Sequence, residues 1–461
     1  LIIAGDKPSD IVERLADATG KVPMMPEYGL GYWQCKLRYR TQEELLNVAR
    51  EHKRRGLPLD AIVIDFFHWT LQGDFRFEPR DWPDPDAMVK ELHDMGVETV
   101  VSVWPTVDER SRNYPFMAEH GYLVASDHGC SLNSTWMGNT TYFDATHPDA
   151  QKFVWEQCKE NYYQKGIRCF WLDEAEPEYG NYDFDNYRYY AGPALQCSNV
   201  YPVGYAKGFY EGLKEAGEEN VMSLIRCAWA GSQKYAVLTW SGDVYSSFRS
   251  MREQLQAGLS MGMAGIPWWT SDIGGFIGGQ PDDPGFRELL MRWFAWGCFC
   301  PVFRMHGERS PWYEREVEYI DNVRQLTSGQ PNEVWSFGEK VYEVLKKFLF
   351  LRERLRSYVR GLMKEASETG APVMRPLFFD FPSDPACWNV EDSYMFGPDL
   401  LVSPVMEAGA QQRSVYLPVG CRWTDAYTHQ TYEGGQTVTV PAPIDVIPVM
   451  VREGREYPIY D

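Results

Sequence analysis

The sequence predicts an α/β fold, a (β/α)8 TIM barrel with a C-terminal β-sandwich domain, and three observations carry the prediction. Eight short apolar runs alternate with helix-like stretches as far as about residue 369, the pattern of a parallel barrel. The chain has neither a GxGxxG fingerprint nor a phosphate loop with lysine, which disfavours an open doubly wound nucleotide-binding sheet. From about Ala371 the character changes to short alternating strands separated by turns, which points to a separate β domain.

Taken in order, residues 1–28 form a lead-in, with a helix around 8–18 and a break at MMPEYG. The strand-like runs follow at Leu30–Cys35, Ala61–Phe66, Glu98–Pro105, Gly166–Glu176, Val221–Cys227, Ala236–Asp243, Gly265–Ile273 and Phe299–His306. Helix-like stretches such as TQEELLNVAREHKRRG and PDAMVKELHDMG separate them, each closed by glycine where a helix should stop. Two connections, 106–147 and 177–202, are long and rich in Tyr, Asn, Asp and Gly. Loops of that length are uncommon unless functional, and both would sit over the C-terminal mouth. A helix near 333–366 completes the barrel domain at 29–369, and 370–461 is the C-terminal domain, with SVYLPVGCRWTDAYTHQTYEGGQTVTVPAP as its strand-and-turn core.

Composition narrows the partners. A net charge of −20 repels phosphates and argues against nucleic acid. No apolar run has the length of a membrane span and no signal peptide is visible; Leu1 in place of methionine leaves room for a segment removed upstream. The 17 Trp and 28 Tyr exceed what core packing usually needs, and flat rings suit the apolar C–H faces of sugars, although a large barrel core would also use them. Ten cysteines are scattered, with Cys169, Cys227, Cys298 and Cys300 inside apolar runs. They read as buried thiols in a reducing, cytoplasmic setting. No CxxC pair or histidine cluster offers metal spacing, so no metal is expected. Oligomeric state stays open, a homo-oligomer included.

In such a barrel, residues at the C-terminal strand ends face the active site. Read in order, those ends give Asp65, Trp104, Asp173, Arg226, Asp243, Asp272 and His306. Alternation along the strand puts Trp171 and Asp173 on one face while Leu172 turns to the helices. Asp173 is then the last deeply placed acid of its strand. Glu174 is expected to face the helix layer as a paired surface acid. Two carboxylates across a small space, about 5–6 Å apart, are the minimum equipment for breaking a glycosidic bond with retention. Arg226 is the cation that would keep one of them ionised; the other, beside that anion, would hold its proton and act as acid. Each residue also has a duller reading, since strand-end acids often cap helices or pair with arginines, and His306 alone would read as structural. A Schiff-base aldolase would need a strand-end lysine and a metal hydrolase paired histidines; the strand ends offer neither.

These segments resemble glycoside hydrolase family 31, the retaining α-glucosidases and α-xylosidases, over nearly the whole chain. WLDEAEPE is similar to the family's nucleophile motif, Asp with Glu three places on, which implies Asp173 as nucleophile. WSGD resembles the acid/base motif and implies Asp243. LIRCAWAGSQKY resembles the segment carrying an arginine of the subsite for the cleaved sugar, here Arg226. IPWWTSDIGGF, FRMHGE and AIVIDF are similar to pocket segments, implicating Asp272, Phe276, His306 and Asp65, and Trp104, Trp171 and Trp240 match aromatic pocket walls. The resemblance implies a retaining exo-hydrolase that removes one terminal α-linked sugar without metal or organic cofactor. An α-galactosidase, a transglycosylase or a non-catalytic carbohydrate-binding barrel are the alternatives. Two features depart from the family. Its members carry an N-terminal β-sandwich that can reach the pocket, whereas this chain starts essentially at the barrel, so it is either an excerpt or lacks that contribution. Many relatives have an uncharged residue where Glu174 stands.

Overall fold

The structure is a computed structural model that describes residues 2–128, 134, 137–179, 184–312, 319–320, 323–324 and 328–460. Its centre is an eight-stranded parallel sheet: β1 Tyr32–Gln34, β2 Ala61–Ile64, β3 Glu98–Val103, β4 Cys169–Leu172, β5 Ser223–Ile225, β6 Val237–Trp240, β7 Trp269–Thr270 and β8 Phe303–Met305. The order β7-β6-β5-β4-β3-β2-β1-β8 rolls the sheet round on itself. The Val302 amide donates to the Trp269 carbonyl at 3.2 Å, bridging the last gap between β7 and β8. All eight strands fall within the runs that the sequence predicts. Residues such as AIVI in β2 are buried on both faces, as a sheet covered by helices outside and packed within requires.

Helix α1 Pro8–Thr19 precedes the barrel, and helices follow every strand but β5: α2 Gln42–Arg54, α3 Pro85–Asp94, α4 Pro148–Asn161, α5 Tyr201–Glu215, α6 Phe248–Met263, α7 Pro284–Gly297, α8 Glu339–Arg354 and α9 Arg356–Thr369. Side-chain caps fix several starts. Thr41 accepts the Glu44 amide at the head of α2, and Asp84 and Asp283 do the same for α3 and α7, satisfying N–H groups that a helix leaves orphaned. The stretch read from sequence as one helix near 333–366 is two, α8 and α9, which meet at Leu355.

The two long connections meet above the barrel mouth. Thr106–Asp108 pairs with Thr140–Tyr142 inside the first, and Ala125–Ser126 of the first pairs with Tyr187–Tyr189 of the second. They therefore form one roof and not two separate flaps.

The C-terminal domain consists of β9 Met374–Pro376, β10 Tyr394–Phe396, β11 Leu400–Val402, β12 Gln412–Leu417, β13 Arg422–Asp425, β14 Thr431–Glu433, β15 Gln436–Pro441 and β16 Val449–Arg452. Six form an antiparallel sheet in the order β9-β10-β11-β16-β13-β14, and β12 pairs with β15. Alternation decides which face goes where. Tyr394, Phe396, Leu400, Val402, Val449 and Val451 join the barrel core, while the intervening Met395, Leu401 and Met450 pack with Val415, Leu417, Val438 and Val440 of the β12–β15 ribbon. One sheet thus serves two cores. No helix among the described residues is long and apolar enough to cross a membrane.

Candidate active site

Strand β4 shows how a short sequence builds the site. Phe170 turns outward onto Trp155 and Phe209 of the helix layer. Trp171 and Asp173, two residues apart, turn inward and line a cavity of about 410 Å³ at the C-terminal mouth. The next residue breaks the alternation. Glu174 has φ 53°, a left-handed backbone uncommon for a residue with a side chain, and the chain reverses so that its carboxyl also lines the cavity. Glu174 therefore does not face the helix layer, contrary to the expectation from strand alternation: the strand has already ended. Its Oε2 accepts the Tyr142 hydroxyl at 3.3 Å and its Oε1 lies 3.3 Å from Arg226.

Asp243 arrives from the loop after β6. Gly242, at φ 72° with open space where a Cβ would be, makes the turn that carries Asp243 to the same cavity as Asp173. The two carboxyl groups that the sequence pairs do share one space.

Arg226 organises the acids. Its Nε bonds Glu176 Oε1 at 2.6 Å and lies 3.6 Å from Asp173 Oδ1, and its Nη2 bonds Glu176 Oε2 at 3.0 Å and also pairs with Glu178. The glutamate three places after Asp173 thus holds the guanidinium against it. Asp173 Oδ1 is buried and makes no hydrogen bond among the described residues; its partner is the Arg226 charge.

Burial pushes the Asp173 carboxyl above its ordinary value, the Arg226 charge pulls it back, and Glu176 adds to the rise. Asp243 is raised to about 7, by loss of hydration first and then by the Asp173 and Asp272 charges, against Arg226. Asp243 is exposed on its open side, where it meets solvent. Glu174 is raised as well, chiefly by burial, with Arg226 opposing and Asp173 adding. Of these three acids Asp173 is raised least, with the guanidinium charge the largest influence against its burial, while Asp243 and Glu174 hold their protons more firmly.

Opposite this cluster stand Asp65, Phe66, Trp104, Phe276 and His306. Phe66 and Trp104 stack at 5.3 Å, 7° apart, backed by Phe67 and Trp69. His68 turns away, with one ring nitrogen on the Asp65 carbonyl and the other on Tyr162. Asp65 Oδ1 accepts the Phe66 amide at 2.7 Å, and Oδ2 has no hydrogen-bond partner among the described residues. His306 packs edge-on against Trp171 at 5.1 Å. Burial and the charges of Arg304 and Arg309 drive its pKa well down, so the ring is neutral.

Two sequence-predicted contacts need correction. Trp240 and Asp272 are not on the cavity wall but one layer beneath it. Trp240 packs edge-on to Trp171 at 5.4 Å. Asp272 is fully buried in an ion pair with Arg304, whose guanidinium sits 5.9 Å from the Trp171 ring and 5.8 Å from the Trp240 ring. Both residues support the floor. Sequence reasoning missed Arg304, although it lies two places before His306 on the same strand face. It also missed the roof residues Tyr142, Glu178 and Tyr179, whose place on the wall depends on how two distant loops pair. A thiol, Cys35, lies under Asp65 and His306, and the three present possible metal-binding atoms within 4.8 Å of one another.

The family model for the TIM-barrel domain of glycosyl hydrolases family 31 matches residues 22–361, and the model for that family's C-terminal domain matches 370–455. The chain belongs to glycoside hydrolase family 31. Among solved structures, the family 31 α-xylosidase from a soil metagenome, complexed with xylose, superposes with a TM-score of 0.97 at 58% identity, covering 98% of this chain and 67% of that one. The family 31 xylosidase from Aspergillus niger gives 0.91 at 34% identity over 97% and 67%. The α-xylosidase of Saccharolobus solfataricus is 33% identical over 99% of this chain and 59% of its own length. A Pseudescherichia vulneris protein named as an uncharacterized family 31 glucosidase is 61% identical over 310 residues, 67% of this chain and 59% of its own. The chain spans about six tenths of the length of these two curated relatives.

Proposed function

We propose that this family 31 chain is a retaining, exo-acting α-glycosidase of the α-xylosidase type, with Asp173 as nucleophile and Asp243 as acid/base. The observation that carries the reading is that two carboxyl groups with different electrostatic surroundings face one cavity, Asp173 beside Arg226 and Asp243 with a pKa raised to about 7. In the first step, the Asp173 carboxylate attacks the anomeric carbon while protonated Asp243 gives its proton to the leaving oxygen. The resulting ester carries no charge. The field that raised Asp243 then weakens and its pKa falls, so it can take a proton from the water that cleaves the ester. Asp65 and His306, each with a polar atom that has no hydrogen-bond partner among the described residues, are the groups to hold sugar hydroxyls, and Phe276 and Trp104 the walls against the ring.

Preference for xylose over glucose is supported by the crowded aromatic wall of Phe66, Trp104 and Phe276 with Trp312, which favours a ring without a hydroxymethyl group, and by the likeness to α-xylosidases. Glu174 belongs with Tyr142 and Glu178 on the roof side of Asp173, where a leaving group would sit. Hydrolysis of aryl α-xyloside, α-glucoside and α-galactoside, with the product anomer read by NMR, tests the proposal. The xyloside should have the highest kcat/KM and release α-xylose first. A glucoside or galactoside preference would overturn the substrate assignment, and β-xylose as first product would overturn the mechanism.

A further inference from the structure

Beneath the floor of the cavity lies a thiol that the glycosidase chemistry does not use. Cys35 follows β1 and His306 follows β8, neighbouring strands in which Gln34 pairs with Met305, so the two residues stand level. Asp65 comes from β2 on the other side of β1. A sulfur, a carboxylate oxygen and an imidazole nitrogen therefore converge, all within 4.8 Å of one another. Cys35 is 0% exposed, His306 1% and Asp65 2%. Among the described residues these atoms have few other partners. Asp65 Oδ2 has no hydrogen-bond partner among the described residues, and it lies 3.8 Å from His306 Nε2. Among the described residues the Cys35 thiol makes a weak 3.9 Å contact with its neighbour's carbonyl and no other hydrogen bond.

That gap of 3.8 Å is too long for a hydrogen bond. It is close to the roughly 3.3–3.6 Å that separates two ligands of one tetrahedral ion. Thiolate, imidazole and carboxylate together suit a borderline cation such as Zn2+, with three protein ligands and a fourth position facing the cavity. They do not suit Mg2+ or Ca2+, which prefer all-oxygen shells. The nearby Arg304 does not forbid a cation, because Asp272 neutralises it, and the ionised Asp173 adds negative charge above.

We propose that Cys35, Asp65 and His306 form an inhibitory site for Zn2+-like cations at the floor of the substrate cavity. Bound there, the ion takes both side chains assigned above to sugar hydroxyls, so metal and sugar exclude one another. The competition rests on the function proposed above, while metal binding itself does not. The variant to use is Cys35→Ala, with the near-isosteric Cys35→Ser as a second in case the first folds poorly.

Calorimetric titration of Zn2+ into the sugar-free protein should show one tight site that xylose weakens. Zn2+ should inhibit aryl α-xyloside hydrolysis competitively, raising KM and leaving kcat, with reversal by chelator and no effect of Mg2+ at the same concentration. Either cysteine variant should raise the inhibition constant by about tenfold or more, with metal-free kcat/KM within about twofold. Unchanged Zn2+ binding in both variants, or inhibition that xyloside cannot relieve, would overturn the site. If no glycoside is hydrolysed, the function fails while the calorimetry still decides the metal site.

Discussion

At the residue scale the account turns on how one guanidinium divides a group of acids. Arg226 touches Asp173, Glu174, Glu176 and Glu178, while Asp243 keeps a higher affinity for protons than Asp173, as an acid catalyst needs. Asp243→Ala should lower kcat/KM by about a thousandfold on a xyloside with a poor leaving group and far less on one with an activated phenol. The same variant should lose the basic limb of the pH–rate profile, which in the parent falls at or just below pH 7 as Asp243 loses its proton. The acidic limb, set by ionisation of Asp173, should remain. Equal losses on both substrates would argue against an acid role. Glu174 carries a different prediction. Its pKa is raised above the ordinary 4.5, so the folded state keeps a proton that the unfolded chain has released once the pH exceeds that value. Stability therefore falls as pH rises from about 4.5 through neutrality. Glu174→Gln, which cannot ionise, should raise Tm by roughly 1–3 °C at pH 8 and by nothing at pH 4.5. A lower Tm at pH 8 would show that the Arg226 contact outweighs burial.

At the scale of elements, the strand ends were legible because each barrel strand passes abruptly from apolar residues to a polar or aromatic one, and a period of two assigns its faces. Trp171 and Asp173 follow that rule. Glu174 does not, because nothing in its side chain announces a left-handed backbone. Asp272 sits on a predicted strand end, and Trp240 is implied by the resemblance alone; Asp272 is drawn into its buried pair with Arg304 and Trp240 packs behind Trp171, which spacing along the chain does not show. The Cys35–Asp65–His306 convergence was invisible in spacing, since it depends on β8 closing onto β1. Closure itself leans on α8. Arg352, fully buried, donates to the carbonyls of Leu30, Cys298, Cys300 and Pro301 at 2.6–2.8 Å. It thereby ties the entries of β1 and β8 together. Arg352→Met should cost about 3–5 kcal/mol, read as the midpoint shift in urea, because four buried acceptors lose their donor. A loss below about 1 kcal/mol would mean that water replaces the guanidinium.

At the scale of the whole molecule, barrel and C-terminal domain share a core instead of merely touching. The inner face of the six-stranded sheet packs into the barrel cluster. Arg292 of α7, 2% exposed, donates to the carbonyls of Ala410, Ala442, Pro443 and Val446. Arg292→Ala should therefore lower the cooperativity of unfolding, splitting one calorimetric transition into two; a single sharp transition at the parent Tm would contradict the coupling. A barrel braced in this way holds the acids of β4 and β6 at fixed separation, which a double displacement requires. The most direct test of the central claim is to trap the covalent intermediate with a 5-fluoroxylosyl fluoride and locate the label by peptide mass spectrometry. The account predicts one label per chain, on Asp173. Labelling of Asp243 or Glu174, or turnover of the reagent without any ester, would contradict it.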